Sequence, residues 1–420
     1  PFSCMRTKWI MLLLCSALLF RPSWAQLPQG IDTVCLKAGG HAIASATSDD
    51  YSDLAFLKRI LNDKKVVLLG ESSHGIGEYY SLKSRLVKFL HAECGFEVLA
   101  IESGIGDVYL EYRKADTISA VALRNNTVFG NFQCAEINPL FDYIKATAAG
   151  PDPLRYCGFD SQNFGASLNL VWELLRQYAP LEADSVMNAI GKYYQIPSLL
   201  WQPDRAPLFR LADTIQTAVS FALNAVRTNR APIQAERSLT DTGFAFVERA
   251  LINLRESVSL DWNTEDPSAR RDSLMADNLF WLMQKIYPGK KLIIWAHNGH
   301  IGKTSPEGNP FKWMGQYVQE TFKDSAYHIG LFAREGETYE WWTKTNKPFF
   351  NDQPNDIETL AGVYPITFLD LTPRPNACAW LSAPVHGYEV ENGGRIRFLP
   401  RKRFDAVVVM RKVGLPAYNR

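Results

Sequence analysis

The chain of 420 residues predicts an α/β protein in which a mainly parallel central sheet is flanked by helices. Four short apolar runs, bounded by charged residues or glycine, are typical of parallel strands that are buried on both faces. Segments with the apolar spacing of amphipathic helices separate these runs. The longest such stretch, residues 161–288, predicts a mostly helical insertion that caps the cleft at the carboxyl ends of the strands.

The sequence predicts one domain after a short lead-in. Residues 26–50 form a polar lead-in to one domain, residues 51–415. Within that domain, strands are predicted at residues 66–69, 96–101, 154–159, 291–296, 327–334, 337–343, 366–371 and 405–410. Helices are predicted at residues 53–61, 78–91, 168–178, 181–194, 206–227, 242–259 and 268–286. Gly95 is a predicted C-cap, and Glu335-Gly336 is predicted to form a hairpin turn between two strands.

The charge balance narrows the class of partner. The chain has 45 basic and 44 acidic residues and a net charge of +1, which argues against a nucleic-acid-binding surface. It contains no block of like charges and no repeat of solenoid length. We therefore expect a small-molecule substrate rather than a nucleic acid.

The first 25 residues have the pattern of a secretory signal peptide. Residues 1–4 precede the first methionine and look like upstream sequence. A basic start and the apolar run of residues 9–20 then lead to a small-residue site that predicts cleavage after Ala25. The run is shorter than the ~20 residues that span a bilayer, so we expect no stable membrane span in the mature chain. A periplasmic or secreted location follows.

Seven cysteines are present, and two of them would leave with the signal peptide. The remaining five have no CxxC spacing, which indicates neither a disulfide framework nor a zinc site. A bridge between Cys35 and Cys378, or between Cys94 and Cys157, suits an oxidising compartment. The apolar segments around Cys94 and Cys157 favour buried free thiols.

Ionisable side chains follow the ends of four predicted strands. Glu71 and His74 follow the first strand, Glu102 the second and Asp160 the third, and the histidines of His297-x-x-His300 follow the fourth. The carboxyl ends of parallel strands meet at one edge of a sheet, and ligands bind in the crevice beyond it. We therefore expect these side chains to share one cleft. Asp160 has the alternative role of capping the next helix.

Two kinds of chemistry fit such a cluster. A neutral histidine can remove a proton from water while a carboxylate orients the imidazole, with no cofactor required. Alternatively, His74, Glu102 and His297 could hold a divalent metal, although the two histidines of His297-x-x-His300 lack zincin spacing. Ser72 resembles a nucleophile elbow, but that motif needs glycine where His74 stands.

Several motifs, in order, resemble the erythromycin esterase family. They are Gly70-Glu71-Ser72-Ser73-His74-Gly75 with Glu78, Ala100-Ile101-Glu102, Gly158-Phe159-Asp160-Ser161-Gln162, Arg271-Asp272, Met275-Ala276-Asp277-Asn278, Trp295-Ala296-His297-Asn298-Gly299-His300-Ile301 and Phe404-Asp405-Ala406-Val407. The resemblance implies an α/β hydrolase, unrelated to Ser-His-Asp esterases, that opens macrolide lactones with a histidine-activated water.

The resemblance also implies roles for individual residues. His74 is similar to the family's general base, Glu71 and Glu102 to its two essential carboxylates, and His297 to its later active-site histidine. Lys83 stands where the family usually has arginine, so it keeps the charge but loses the planar two-pronged donor. We expect Lys83, together with His300 and Asp160, to bind substrate.

The resulting hypothesis is a carboxylic ester hydrolase that acts on cyclic esters, with macrolide lactones among the candidates. His74 would deprotonate water, Glu102 would orient His74 or the water, and Glu71 would hold the opposite side. His297 would polarise the carbonyl or donate to the oxyanion. A metal-dependent hydrolase using the same cluster and a non-catalytic binding protein of the same fold remain alternatives.

Overall fold

The structure, a computed structural model, describes residues 40–163, 165–372, 379–389 and 394–418. The predicted signal peptide with Cys4 and Cys15, and the bridge between Cys35 and Cys378 considered above, lie outside these ranges.

The strands and helices follow one another along the chain. The strands are β1 (Gly40–Ala42), β2 (Val66–Leu69), β3 (Val98–Gly104), β4 (Arg155–Asp160), β5 (Leu292–Trp295), β6 (Ala326–Glu340), β7 (Thr345–Phe350), β8 (Ile366–Asp370), β9 (Val385–Glu389), β10 (Gly394–Phe398) and β11 (Ala406–Val413). The helices are α1 (Phe56–Ile60), α2 (Gly77–Cys94), α3 (Ile105–Tyr112), α4 (Ala120–Thr127), α5 (Asn138–Ala148), α6 (Ala166–Tyr178), α7 (Ala183–Gly191), α8 (Ile196–Leu200), α9 (Ala206–Thr228), α10 (Arg230–Glu236), α11 (Asp241–Val258), α12 (Pro267–Trp281), α13 (Asn298–Ile301), α14 (Met314–Phe322), α15 (Ile357–Ala361) and α16 (Pro400–Arg403).

One sheet organises the described part of the chain. Its strand order is β1-β8-β11-β6-β2-β5-β3-β4, and β7 adds an antiparallel pair to β6. The run from β11 to β4 is parallel, whereas β1 and β8 form an antiparallel edge. A separate hairpin joins β9 and β10. The predicted fold class, a mainly parallel sheet flanked by helices, is confirmed.

Both faces of the sheet are buried because its central strands are runs of consecutive apolar residues. All four residues of β2 are buried, with Val67 and Leu69 in one apolar core and Val66 and Leu68 in the other. Successive side chains on a strand point to opposite faces, so one apolar run supplies both cores. The helix α2 covers the first face and is itself buried on most sides, including Lys83, which the apolar spacing had placed outside the stripe.

The helices α6 to α12 form the helical insertion between β4 and β5. They build an apolar core of their own, with Leu174, Leu208 and Phe244 among its buried members. This core continues onto α3, which joins the insertion to the strand β3. A π-helical turn, Leu282–Ile286, extends α12 toward β5.

The predicted hairpin turn at Glu335-Gly336 is wrong, because β6 continues to Glu340 before the chain turns into β7. Gly336 has a φ of 147°, and a Cβ atom there would lie 2.0 Å from the carbonyl oxygen of Val413 on the neighbouring strand. The glycine therefore serves a close approach between two paired strands and not a turn.

Cys94, Cys134 and Cys157 are free thiols, so Cys94 and Cys157 form no bridge. Cys157 is fully buried and Cys94 is half-buried. Gly95 ends α2 in the left-handed conformation, with a φ of 69°, as the sequence predicts. Within the described ranges, no helix combines the length and apolar character needed to cross a membrane.

Candidate active site

The His74 loop, residues 70–76, connects β2 to α2 at the carboxyl edge of the sheet. It begins with a close approach, because a Cβ atom on Gly70 would lie 2.1 Å from the side-chain oxygen of Asn298. The backbone N–H of Asn298 donates to the carbonyl of Glu71 at 2.8 Å. The turn after β2 is thus tied to the turn after β5, which brings two of the predicted strand ends together.

Glu71 is fully buried between the side chains of His74 and Lys83. One carboxylate oxygen, Oε1, lies 3.2 Å from Nδ1 of His74, and the other contacts the ammonium of Lys83. The two atoms are in contact but outside hydrogen-bond alignment; the negative charge of the carboxylate favours the proton on the nearer ring nitrogen, so we assign the Nδ1–H tautomer to His74. The Nε2 atom of the neutral ring is then the proton acceptor.

Lys83 does not reach the cavity described below, and its side chain is fully buried. Its ammonium also donates to the carbonyl of Ala296 at 3.3 Å and lies 4.4 Å from the ring centre of Trp295. These contacts make Lys83 a support for Glu71. The predicted role of Lys83 in direct substrate contact therefore conflicts with its position beneath the site.

The imidazole of His74 is neutral at ordinary pH. Burial is the main cause and lowers the pKa of His74 to about 3, and the nearby rings of His297 and His300 act in the same direction. Phe132 packs edge-on against the His74 ring, with 5.1 Å between ring centres. The side chain keeps 15% exposure.

Glu102 lies in an irregular part of β3, where the register with β4 shifts between Ile101 and Gly104. Such bulges re-aim side chains beside functional sites. One oxygen of Glu102 accepts the backbone N–H of His297 at 3.0 Å, and the other lies 3.0 Å from Arg271 and 3.4 Å from Nε2 of His300. Burial opposes ionisation, but His300 and Arg271 hold the pKa of Glu102 well below its usual value.

Arg271, on α12, is a site residue that was not among the predicted catalytic or binding residues. Its guanidinium holds Asp160 through two hydrogen bonds and Glu102 through a third. Burial opposes the charged form, but Asp160 and Glu102 raise the pKa of Arg271. Asp160 is fully buried and does not line the cavity, so it anchors Arg271 where a substrate contact was predicted.

His300 lies between two carboxylates. Its Nδ1 atom is 2.8 Å from Asp272, which also accepts the backbone N–H of Met314 at 2.7 Å, while Nε2 faces Glu102. Burial opposes protonation, but Asp272 and Glu102 outweigh it and raise the pKa of His300 to about 10. His300 is therefore an imidazolium, a donor rather than a base.

His297 caps the short helix α13, and its Nδ1 atom accepts the backbone N–H of Gly299 at 3.1 Å. We assign the ring proton to Nε2 for that reason. Burial lowers the pKa of His297, and a hydrogen bond with the backbone of Ser72 acts in the opposite direction. The rings of His297 and His74 lie 5.1 Å apart, so two neutral imidazoles stand side by side.

A cavity of about 630 Å³ opens over this cluster. The predicted residues His74, Glu102, His297 and His300 line it together with Arg271, whereas Glu71, Lys83 and Asp160 lie behind its wall. The structure thus brings the four strand ends to one edge. It separates the predicted residues into a layer that faces the cavity and a layer that supports it.

The outer part of the cavity carries three tryptophans, Trp313, Trp341 and Trp342, which we name the aromatic wall. Trp313 lies beside His300, with 6.5 Å between ring centres, and Trp342 is 89% exposed. Glu389 and Arg403, a buried ion pair at 3.3 Å, also line the cavity. All of these residues come from the part of the chain after β5, outside the four strand ends that the sequence analysis singled out.

The predicted metal set does not fit a metal ion. Glu102 already receives hydrogen bonds from His297 and Arg271, and the cations of Arg271 and His300 stand beside it. A divalent ion would have to displace these donors and approach two positive charges. Over the residues that the structure describes, no group of three or more His, Cys, Asp or Glu side chains is arranged to hold a metal.

Ser72 has no geometry for covalent catalysis. Its hydroxyl is fully buried and hydrogen-bonds with the Tyr79 hydroxyl at 2.8 Å. Ser73 likewise bonds Thr338 at 2.7 Å and receives the backbone N–H of Gly75 at 3.0 Å. Both serines hold the His74 loop in place.

The fold and the site define an α/β protein with a histidine and carboxylate cavity at the carboxyl edge of its parallel strands. The family model described as erythromycin esterase matches residues 91–413. Because this match covers more than half of the chain, the protein belongs to the erythromycin esterase family. The matched range begins after Glu71 and His74, so the case for those two residues rests on their geometry.

Two known sequences are similar over most of their length. The protein named "Putative hydrolase YbfO" of Bacillus subtilis is 27% identical over 397 residues, covering 86% of this chain and 87% of its own. Erythromycin esterase type II of Escherichia coli is 24% identical over 326 residues, covering 69% of this chain and 74% of its own.

Solved structures share the fold. A Bacillus cereus protein aligns with a TM-score of 0.74 at 19% identity, over 93% of this chain and 100% of its own. A succinoglycan biosynthesis protein aligns with a TM-score of 0.72 at 18% identity, over 92% and 98%. An erythromycin esterase variant in its open conformation gives 0.59 at 16% identity, over 87% and 95%.

Proposed function

We propose that this protein is a carboxylic ester hydrolase in which His74 activates a water molecule. The observation that carries the proposal is the 3.2 Å approach of His74 Nδ1 to Glu71 at the wall of the cavity. Family membership indicates hydrolysis, and the name of the E. coli relative supports esters as the substrate class. Cyclic esters, macrolide lactones among them, are the candidate substrates.

The proposed reaction is a direct attack by water. Nε2 of His74 takes a proton as the water oxygen bonds to the carbonyl carbon, and Glu71 stabilises the imidazolium that forms. The tetrahedral oxyanion then collapses, the bond from carbon to the alkoxide oxygen breaks, and His74 returns the proton to that oxygen. Proton transfer of this kind contributes about 10²–10⁴ in rate.

The oxyanion would be stabilised by the two cations that line the cavity, Arg271 and His300. Both are held in place by Glu102, so their charge is pre-organised before substrate arrives. Glu102 is therefore proposed to position these cations, in place of the predicted role of orienting His74 or the water. His297 also lines the cavity, and its Nε2–H is proposed as a further donor to the oxyanion.

The decisive experiment compares wild type with His74→Ala on a panel of lactones and simple esters in ¹⁸O-labelled water. Mass spectrometry should find one labelled oxygen in the carboxylate product of wild type, and turnover should fall about 10²–10⁴-fold in the variant. His91→Ala is the matched control, because His91 is in the last turn of α2, about 21 Å along the helix from its first residue, Gly77.

The outcomes separate the alternatives. Near wild-type turnover by a folded His74→Ala protein would remove His74 as the base. Loss of activity with a chelator, and its return with zinc or manganese, would favour a metal-dependent hydrolase. Binding without turnover, with an affinity that changes in His74→Ala, would favour a non-catalytic binding protein. Export through residues 1–25 is a separate proposal, tested by fractionation of a tagged full-length chain.

A further inference from the structure

Two tyrosine hydroxyls meet beneath the His74 loop. The hydroxyl of Tyr418 lies 3.1 Å from the carbonyl oxygen of His74 and 3.2 Å from that of Asn131. The hydroxyl of Tyr80 contacts the same two carbonyls, at 3.0 Å for Asn131. Each hydroxyl has one proton and each carbonyl needs one donor, so the two pairs satisfy each other.

This set joins two segments that touch the candidate base. The carbonyl of Asn131 belongs to the turn that carries Phe132, and the Phe132 ring packs on the His74 imidazole. The tyrosine hydroxyls therefore hold the backbone carbonyl of His74, while the imidazole ring packs against Phe132 and lies 3.2 Å from Glu71.

The same tyrosine is tied to the aromatic wall. The indole Nε1 of Trp341 donates to the Tyr418 hydroxyl at 3.0 Å, and the two rings pack edge-on with 5.0 Å between centres. The Tyr418 hydroxyl thus accepts one hydrogen bond and donates another. Hydrogen bonds in such a chain strengthen each other. Trp341 also lines the cavity, so the chain runs from the cavity surface to the backbone of His74.

We infer that Tyr418 and Trp341 are positioning residues for His74, through the hydrogen-bond chain from Trp341 to Tyr418 to the His74 carbonyl. Neither side chain takes part in bond making. They set where the imidazole stands relative to a substrate that rests on the aromatic wall. A displacement of about 1 Å in a catalytic group can cost 10²-fold in rate, so this control matters. The kinetic consequence rests on the proposed hydrolase function.

Two variants interrupt the hydrogen-bond chain from Trp341 through Tyr418 to the His74 carbonyl. Tyr418→Phe deletes only the hydroxyl, and Trp341→Phe keeps an aromatic ring in the wall but deletes the indole N–H. Each should lower kcat about ten-fold, the kinetic equivalent of one lost hydrogen bond, and leave KM within about two-fold of wild type. Because both act through one chain, the double variant should be no slower than the slower single variant.

Tyr143→Phe is the matched control, since it deletes a tyrosine hydroxyl that bonds the remote His91 at 2.7 Å. It should leave kcat and KM unchanged. Additive losses in the double variant, or a raised KM with normal kcat in Trp341→Phe, would overturn the positioning role and assign Trp341 to substrate contact alone.

Hydrogen–deuterium exchange provides a readout that needs no turnover. Peptides that cover residues 71–78 and 129–133 should exchange faster in Tyr418→Phe and Trp341→Phe than in wild type, while the thermal unfolding midpoint stays within a few degrees. Exchange equal to wild type in both variants would refute the inference. If wild type hydrolyses nothing, the proposed function fails. The exchange result still decides whether the hydrogen bonds from Trp341 and Tyr418 position His74.

Discussion

Lys83 and Glu71 form an ion pair in which neither side chain is exposed to solvent. The same carboxylate contacts His74, so Lys83 is linked to the candidate base through one shared partner. Lys83 also bridges the ends of β2 and β5, because its ammonium contacts both Glu71 and the carbonyl of Ala296. A residue at this depth can influence a substrate only by holding Glu71.

Replacing Lys83 with methionine should therefore be costly to the fold. The Lys83→Met change keeps the apolar stem but leaves a buried carboxylate without its partner, which typically costs about 3–5 kcal/mol. We expect the free energy of unfolding in urea to fall by that amount, and turnover to fall with it because Glu71 loses its fixed position.

The control for this change is Lys58→Met. Lys58 also pairs with a glutamate, Glu93, at 2.5 Å, but the two side chains are 49% and 38% exposed. Solvent screens an exposed pair, so this variant should unfold almost like wild type. Equal effects of the two substitutions would show that the buried pair has no special weight.

The depressed pKa of His74 predicts an unusual pH profile. An ordinary histidine base, with a pKa near 6.5, loses activity about ten-fold per unit as the pH falls below that value. With a pKa of about 3, His74 stays neutral, so kcat/KM should be level between pH 5 and 8. A decline with an apparent pKa near 6.5 in that range would contradict the buried, neutral state of His74.

The same shift has a consequence for stability. The folded-state pKa of His74 lies below its unfolded value, so the unfolded chain binds more protons between pH 6.5 and 3, and stability falls as the pH falls through this window. His74→Gln should flatten this part of the unfolding curve. Glu102 adds to the acid loss only below about pH 4.5, because its pKa is also depressed.

Much of the site could be predicted because it depends on strand ends. β2, β5, β3 and β4 are neighbours and parallel, and a polar residue follows or ends each of them, so the sequence was sufficient to place Glu71, His74, Glu102, His297 and His300 together. Asp160 also lies at this edge. Its partner Arg271, on a distant helix, decides its role, and strand patterns do not contain that information.

The roles of Arg271 and Lys83 could not be predicted from sequence patterns. Helical periodicity predicted α12 but not which of its residues faces the sheet edge, and the only signal for Arg271 was its place in a family motif. Lys83 was placed on the outer face of an amphipathic helix, whereas α2 is covered on most sides. Long-range packing decides both cases, as it does for Trp341 at the end of an unexpectedly long β6.

His300 predicts a loss of stability at alkaline pH. Its folded-state pKa of about 10 lies above the unfolded value of about 6.5. The stabilisation is therefore full below pH 6.5 and is lost as the pH rises through 10. The difference in unfolding free energy between wild type and His300→Gln should be largest near pH 6 and should shrink steadily toward pH 10. A constant difference across that range would mean that His300 is not an imidazolium.

The structure leaves no room for a side chain at Gly70. A Cβ atom there would lie 2.1 Å from Oδ1 of Asn298 and 2.7 Å from Cδ1 of Ile301. The amide of Asn298 cannot move freely, because it bonds both the N–H and the carbonyl of Leu331, at 3.1 and 2.8 Å. Gly70→Ala should therefore destabilise the fold by roughly 1–3 kcal/mol, as overpacking does.

Gly191→Ala is the matched test of this steric cause. Gly191 ends α7, and a Cβ atom there would meet no other atom within 4 Å. Its replacement should leave stability unchanged or raise it by about 0.4–1 kcal/mol, because alanine lowers the conformational entropy of the unfolded chain. Unfolding of Gly70→Ala and Gly191→Ala at the same urea concentration would contradict this steric cause. It would mean that the Asn298 side chain can move away from residue 70 at little cost.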